Sequence, residues 1–419
     1  MARLSTVPSL APEPAPASPS LPLVPRLKGQ GYDREQVALR RAWVAERTGS
    51  ALVHVGSYSI ASGEMRGNIE NPVGAAQVPL GVAGPLLVAG DHAEGVFYVP
   101  LASTEGALVR SYERGMAAIT RAGGAQVRLL DDQNRVCPMF LFDDVGAAGR
   151  FAASLPARRP ELAAAAEGTT GHGRLLAVEP RQIGRRVIVD LRYHTADAQG
   201  MNMAVKATEA VCQQLMASSG ARRYSIFSGY DSEKRASGSL FAGGKGKRVT
   251  AGLRLPRRLA ETFFRISPEA LVQLWRDTVV GHLEAAALGY NGHLANGLAA
   301  LFIACGQDVA NIANAAVGIT TFDLCADGDL YASVTLPSLT VATVGGGTAL
   351  GTARECLEML GCAGAGGAPK LAEVIAATLL AGELSFGAAI ASQEFVSAHE
   401  TYGRNRPSGS PPAEGEDRP

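Results

Sequence analysis

Arg185-Arg186-Val187-Ile188-Val189-Asp190-Leu191-Arg192-Tyr193 alternates strictly, with Val187, Val189, Leu191 and Tyr193 on one face and Ile188, Asp190 and Arg192 on the other. A period of two predicts a strand in a sheet with one covered side. Just downstream, Met203, Ala207, Val211 and Leu215 recur at fourfold spacing and predict a helix from Met201. With a second strand over 138–142, residues 137–227 read as a compact α+β insertion. The flanks have another texture: extended chain over 77–90, a short strand over 95–100, then Ser103 and Thr104 placed to cap a helix. That helix carries Leu108, Tyr112, Met116 and Ile119 on one stripe and ends at Gly123-Gly124. Further on, Ser267-Pro268-Glu269 sets a cap, a first-turn proline and an early acid before a helix closing at Gly289. A helix over 292–316, strands over 333–336 and 339–344, and a helical region over 371–402 complete the pattern, without internal repeats.

At 419 residues the chain exceeds the single-core limit of about 250–300. More than one structural unit follows, and the fold class is α+β. Its 39 basic and 39 acidic side chains give no bulk attraction for nucleic acid or an anionic membrane, so a small-molecule substrate is expected. Residues 1–28 hold seven of the 23 prolines and read as a disordered leader; 405–419 read as a disordered tail, and 29–64 as a small helical segment. Asn, Gln, Asp or Glu interrupts each apolar run short of the roughly 20 residues a bilayer span needs. The six cysteines lack paired spacing. A soluble, cytoplasmic protein with reduced thiols is therefore expected.

Chemistry concentrates at four residues. From Leu294 to Ile319 the only charge is Asp308, so it should lie partly desolvated and need a cation or several donors. Glu105, in Ser-Thr-Glu-Gly, stands beside a helix start, and Lys234 lies in a polar loop between apolar elements. His399 falls near the end of the last helix, where the dipole favours imidazolium. These four are expected to converge. Gly345-Gly346-Gly347 after a strand permits close backbone approach to a ligand. No histidine spacing supports a metal site. In Gly243-Gly244-Lys245-Gly246-Lys247, Arg248 stands where a phosphate loop needs Ser or Thr, and no GxGxxG follows a strand.

Taken together, Glu70-Asn71-Pro72-Val73-Gly74, Ser103 to Gly106, Asp197-Ala198-Gln199-Gly200-Met201-Asn202-Met203, Gly306-Gln307-Asp308 and Thr343 to Thr348 resemble the 3-hydroxy-3-methylglutaryl-CoA reductases in order and spacing. Their wording is closer to the class that includes the eukaryotic enzymes. The resemblance covers roughly 63–404. It implies a large substrate and catalytic domain (65–136 and 228–404), a ferredoxin-like nicotinamide domain inserted at 137–227, and a homodimer or higher assembly with interfacial active sites. It also implies two hydride transfers, from thioester to hemithioacetal and, after CoA leaves, from aldehyde to mevalonate. Lys234 would stabilise the oxyanions, Glu105 would supply a proton, Asp308 would couple the two, and His399 would protonate the departing CoA thiolate. Asp197, Gly200, Met201, Asn202, Gly345 and Gly346 would face NADPH, with NADH as the alternative. Arg135, Ser228, Arg235, Arg276 and Asn296 would face the acyl group.

The chain departs from the family at several of these positions. Glu233-Lys234-Arg235 replaces Asp-Lys-Lys, Arg276 falls where a substrate-binding lysine is usual, and Thr170-Gly171-His172 replaces Ser-Arg-Phe at the cofactor. Ala398 replaces the serine before the catalytic histidine, and Asn405 a serine that some relatives phosphorylate. A related acyl thioester as substrate, or a noncatalytic CoA-binding regulator, stay open at this point.

Overall fold

The computed structural model describes residues 23–26 and 31–392. His399, the tail and most of the leader lie outside them. The chain divides into two compact units, at Ala76 and Gln77.

In the first unit α1 (Arg34–Thr48) starts because the Asp33 carboxylate accepts from the Gln36 amide at 2.8 Å, and stops at left-handed Gly49. A short helix α2 (Val53–Gly56) and a 3-10 turn at Ser62–Met65 follow. Arg40, buried, donates to the Pro72 carbonyl at 2.7 Å, and Arg41 donates to that of Val73 at 3.2 Å. Guanidinium-to-backbone bonds thus fasten the 70–74 motif to α1.

The second unit runs β1 (Leu80–Ala89), β2 (Glu94–Ala102), α3 (Leu108–Arg121), β3 (Ala125–Val136), β4 (Met139–Leu141), α4 (Val145–Glu167), β5 (Arg174–Ile183) and β6 (Arg186–His194). It continues α5 (Met201–Ser219), β7 (Arg223–Ser225), β8 (Gly246–Leu255), α6 (Arg257–Leu259), α7 (Pro268–Glu284), α8 (Leu294–Ala304) and α9 (Ile312–Ala315). β9 (Ile319–Leu324), β10 (Leu330–Leu339), α10 (Gly351–Met359) and α11 (Gly367–Ala391) end it. The strands form one predominantly antiparallel sheet in the order β7-β4-β6-β3-β8-β10-β9, with β5 on β6 and the β1–β2 hairpin beside the start of β3. Strand β3 joins two regions: residues 126–133 pair with β8, and Asn134–Val136 pair with β6. Each region has its own core. Helices α3, α8 and α11 pack Tyr112, Met116, Leu298, Leu301, Leu379 and Leu380 on one side. Helices α4 and α5 close the other over Phe140, Phe151, Val189, Leu191 and Val211.

Several expectations need correction. Val187, Val189, Leu191 and Tyr193 are buried as the alternation predicts, but so are Ile188 and Asp190, the latter between Arg135 and Arg192. Ser103 does not cap α3; left-handed Ala107 stands at its start, and the Ser103 hydroxyl accepts from the Glu105 amide instead. The helix opened by Ser267 ends at Glu284, not Gly289. The stretch over 292–316 breaks after Ala304, since left-handed Gly306 turns the chain. One strand, β10, replaces two. Finally, α11 is long and apolar enough to cross a membrane by length and composition, with mean hydropathy 1.8 over its most apolar window. That window is 83% buried, so α11 serves as the central core helix.

Candidate active site

Asp308 owes its place to two docking devices. The Gln307 side chain donates to the Ala342 carbonyl at 2.9 Å and accepts from the Ala342 amide at 2.8 Å. Gly306 packs against the glycine loop so closely that a Cβ on Gly347 would lie 2.7 Å from the Gly306 carbonyl oxygen. Asp308 then emerges from the apolar run, and its Oδ1 accepts from the Ala310 amide at 3.1 Å. Its Oδ2 lies 2.7 Å from Lys234 Nζ. The partner cation expected for Asp308 is therefore present. Desolvation is partial, as expected: the two side chains keep 46% and 36% of their exposure, Lys234 first. The hydrogen bond to Asp308 raises the Lys234 pKa above the ordinary lysine value, against a smaller lowering by burial, so this ammonium stays charged at neutral pH.

Glu105 belongs to a second pair, exposed in the single chain, with Asn296 Nδ2 3.4 Å from its Oε1. Asn296 lies in the first turn of α8, whose start is fixed by buried Glu383 on α11. That carboxylate accepts from the Gly292 amide at 2.7 Å, the His293 amide at 2.8 Å and the Thr320 hydroxyl at 2.8 Å. Burial alone would raise the Glu383 pKa, but His293 and the two amides outweigh it and hold the acid below the ordinary carboxylate range. Asn296 and Cys305 stand at opposite ends of α8, about 13 Å apart at 1.5 Å per residue. One chain thus presents two pairs, Glu105–Asn296 and Lys234–Asp308, with no hydrogen bond or ion pair joining one to the other among the described residues.

The cofactor candidates form one junction. Asp197 spends its carboxylate on the Gly366 amide at 2.8 Å and the Ala368 amide at 3.1 Å, capping α11. Its backbone carbonyl accepts from Thr343 and Val344, so the loop before α5 is tied to the glycine loop. Left-handed Gly200 precedes α5, which has no side-chain cap, and Asn202 is exposed in its first turn. Met201 points inward, its Sδ 3.4 Å from Asn134 Nδ2. Gly345 and Gly346 are left-handed, and a Cβ on either would meet open space.

Of the acyl candidates, Arg135 is 2% exposed, donates to Ser239 Oγ at 3.0 Å and lies 3.9 Å from Asp190. Ser228 and Arg235 lie in the Lys234 loop, whereas Arg276 stands on the exposed face of α7 with no polar contact to the other candidates among the described residues. Two groups escaped the sequence reading. Glu383 carries a signal like that of Asp308, being one of two acids in an apolar helix. Lys245, fully buried against Glu233, was hidden by its glycine-rich surroundings. Among the described residues no cluster of three or more His, Cys, Asp or Glu could hold a metal ion.

The family model described as hydroxymethylglutaryl-coenzyme A reductase matches residues 36–404. The 3-hydroxy-3-methylglutaryl-coenzyme A reductase of Haloferax volcanii is 44% identical over 371 residues, covering 87% of this chain and 92% of that protein. The Methanothermobacter thermautotrophicus protein of the same name is 40% identical, covering 88% and 94%. In fold, the chain is similar to the class II enzyme of Streptococcus pneumoniae bound to NADPH in open conformations, with TM-score 0.65, 20% identity and coverage of 86% of this chain and 97% of that one.

Proposed function

The chain belongs to the hydroxymethylglutaryl-coenzyme A reductase family, and from that membership we infer that it reduces 3-hydroxy-3-methylglutaryl-CoA to mevalonate and free CoA with NADPH. The observation that carries this reading at the residue level is the Lys234–Asp308 pair, 2.7 Å apart and beside the glycine loop. A lysine held charged is suited to stabilise an oxyanion without giving up its proton. Glu105, oriented by Asn296, supplies the proton to the carbonyl-derived oxygen. His399 protonates the CoA thiolate, which as a free thiol titrating near about 8.5 leaves poorly as an anion. Arg135 and Arg235 provide planar forks for the free carboxylate of the acyl chain, and Ser228, Arg276 and Asn296 complete its contacts.

NADPH supplies the hydride when bound. The open space at Gly345 and Gly346 and the uncapped start of α5 at Gly200 to Asn202 fit a dinucleotide phosphate group. Asp197 serves as the brace for that loop. Residues 137–227 form a ferredoxin-like insertion in this reading, supported by the chain order β4-α4-β5-β6-α5-β7 and the sheet order β7-β4-β6-β5. Residues 65–136 and 228–404 form the substrate domain.

The enzyme works as a homodimer or a larger homo-oligomer, in the cytoplasm, with a second copy bringing its Lys234 pair to the Glu105 pair. Support comes from the span of α8 between the two pairs and from Leu80, Val82, Val96 and Tyr98, all exposed on the β1–β2 hairpin. The test is to incubate the purified protein with the acyl-CoA and each nicotinamide cofactor, following absorbance, free thiol and product. Two NADPH consumed per mevalonate is the expected outcome. Turnover of a different thioester would move the substrate assignment, and CoA binding without turnover would make the chain a regulator.

A further inference from the structure

Glu233 immediately precedes Lys234, and the structure gives its carboxylate two partners, Lys245 and Gln199. One oxygen meets the ammonium of Lys245, which is completely buried at the start of β8. The other accepts from Gln199 Nε2 at 3.3 Å, in the loop that leads to Gly200 and Met201. Asn134, itself 3% exposed, holds that same loop by donating to the Gln199 carbonyl at 2.7 Å. Lys245 Nζ also lies 3.4 Å from Met201 Sδ.

A buried ammonium needs an anion beside it, and Glu233 is the acid in ion-pair contact with Lys245. Its carboxylate is therefore committed inward. The backbone on both sides is in the left-handed region, φ 54° at Ser232 and φ 55° at Lys234. Side-chain-bearing residues hold that conformation only where the surroundings fix it. Ser232 is fixed by a 3.1 Å hydroxyl contact with Ser239, and Arg135 reaches the Asp231 carbonyl at 3.5 Å. On the Lys234 side the anchor is the Glu233 side chain.

We propose that Glu233 is a positioning residue that couples occupancy of the cofactor loop to the placement of the Lys234 ammonium, through Gln199 on one carboxylate oxygen and buried Lys245 on the other. This rests on the assignment of the Gly200 to Asn202 loop to NADPH made above. The coupling is reciprocal and is most easily followed from the cofactor side. A cofactor that orders the 197–203 loop fixes the Gln199 amide, which fixes Glu233 and with it the strained turn that aims Lys234 at Asp308.

The test uses the full chain as wild type, as Gln199→Leu, which cuts the bridge and leaves the ion pair, and as Glu233→Gln with Lys245→Met, which removes both buried charges and so spares the fold. NADPH affinity, kcat, KM for the acyl-CoA and hydrogen exchange over 228–239 are read for each. In the wild type NADPH slows exchange over 228–239. In Gln199→Leu that protection is lost, and kcat falls about tenfold or more while KM for the acyl-CoA changes less than about threefold, the pattern of a displaced catalytic group. The double variant shows the same split at a melting temperature near that of the wild type. A Gln199→Leu protein with wild-type kcat and intact protection overturns the coupling and leaves a merely structural ion pair. Failure of the wild type itself to bind NADPH overturns the cofactor assignment as well, and is recognised without any variant.

Discussion

Replacing Glu383 by alanine should strongly destabilise the core around α11, by an amount that follows from its partners. The carboxylate satisfies two backbone amides and the Thr320 hydroxyl, with His293 Nδ1 3.3 Å away. Each buried donor left unpaired costs about 1–3 kcal/mol. Breaking such a buried charged network by removing one member costs about 3–5 kcal/mol in all, against a typical total of about 5–15 kcal/mol. For a unit of this size that lowers the melting temperature by roughly 5–10 °C. Glu383→Gln keeps one acceptor oxygen and should lose about half as much. The pH dependence has a definite sign. Because the folded pKa lies below the unfolded value of 4.5, the stabilisation is complete above that value and disappears as pH falls through the folded one. The gap between wild type and Glu383→Gln should close as pH falls below about 4.5. Thermal unfolding of both proteins across that range measures it. A Glu383→Ala protein within about 2 °C of wild type, or a gap that fails to close below about pH 4.5, would refute the reasoning.

Gly306→Ala should cost about 2–5 kcal/mol, from the left-handed φ of 63° and the collision with the Gly347 carbonyl, and reductase activity should fall with it. Denaturant titration checks the first and a cofactor-oxidation assay the second. Gly345→Ala meets no atom within 4 Å, so it should cost only about 1–2 kcal/mol of backbone strain while weakening NADPH binding, measured by fluorescence titration. Mixing inactive Glu105→Gln and Lys234→Ala chains should restore about a quarter of wild-type activity after subunit exchange, since random pairing gives half mixed dimers with one intact site each. No recovery would place each site within one chain. His399→Gln should slow CoA release from the thioester more than reduction of supplied mevaldehyde, and equal loss in the two assays would remove His399 from the thiolate step.

The elements legible in the sequence were those with one dominant signal. Strand β6 and helix α5 announce themselves by period, and α7 by its Ser267 cap. The long strand β3 does not, because Gln126 to Gln133 pairs with β8 while Asn134 to Val136 serves another region, and Asp131, Asp132, Gln133 and Asn134 break any apolar alternation. Helix α4 hides behind Pro156 and Pro160, which a local reading takes as breakers. At the site, the rule that a lone acid in an apolar run should be partly desolvated and paired located Asp308, which keeps 36% of its side-chain exposure beside Lys234. The same rule applied to α11 finds Glu373 and Glu383, which are buried and bound to backbone amides. What separates the cases is a turn: Gly306 and Gln307 bring Asp308 to the surface, whereas the α11 acids lie inside an unbroken helix.

That difference bears on catalysis. Two opposite charges about 4 Å apart interact by about 1 kcal/mol in water and about 4 kcal/mol at an effective dielectric of 20. A Lys234–Asp308 pair as exposed as this one sits near the weaker limit, where the ammonium would do little for an oxyanion. Proteins exclude water from such a pair by covering it, and the described part of one chain leaves both Lys234 and Glu105 exposed. In the assembly proposed above, that cover comes from a second copy or from the bound substrates. Each would raise the electrostatic contribution of Lys234 only once the reactants are in place, so the charge that stabilises the oxyanion gains its strength on assembly of the site and stays weak in the open chain.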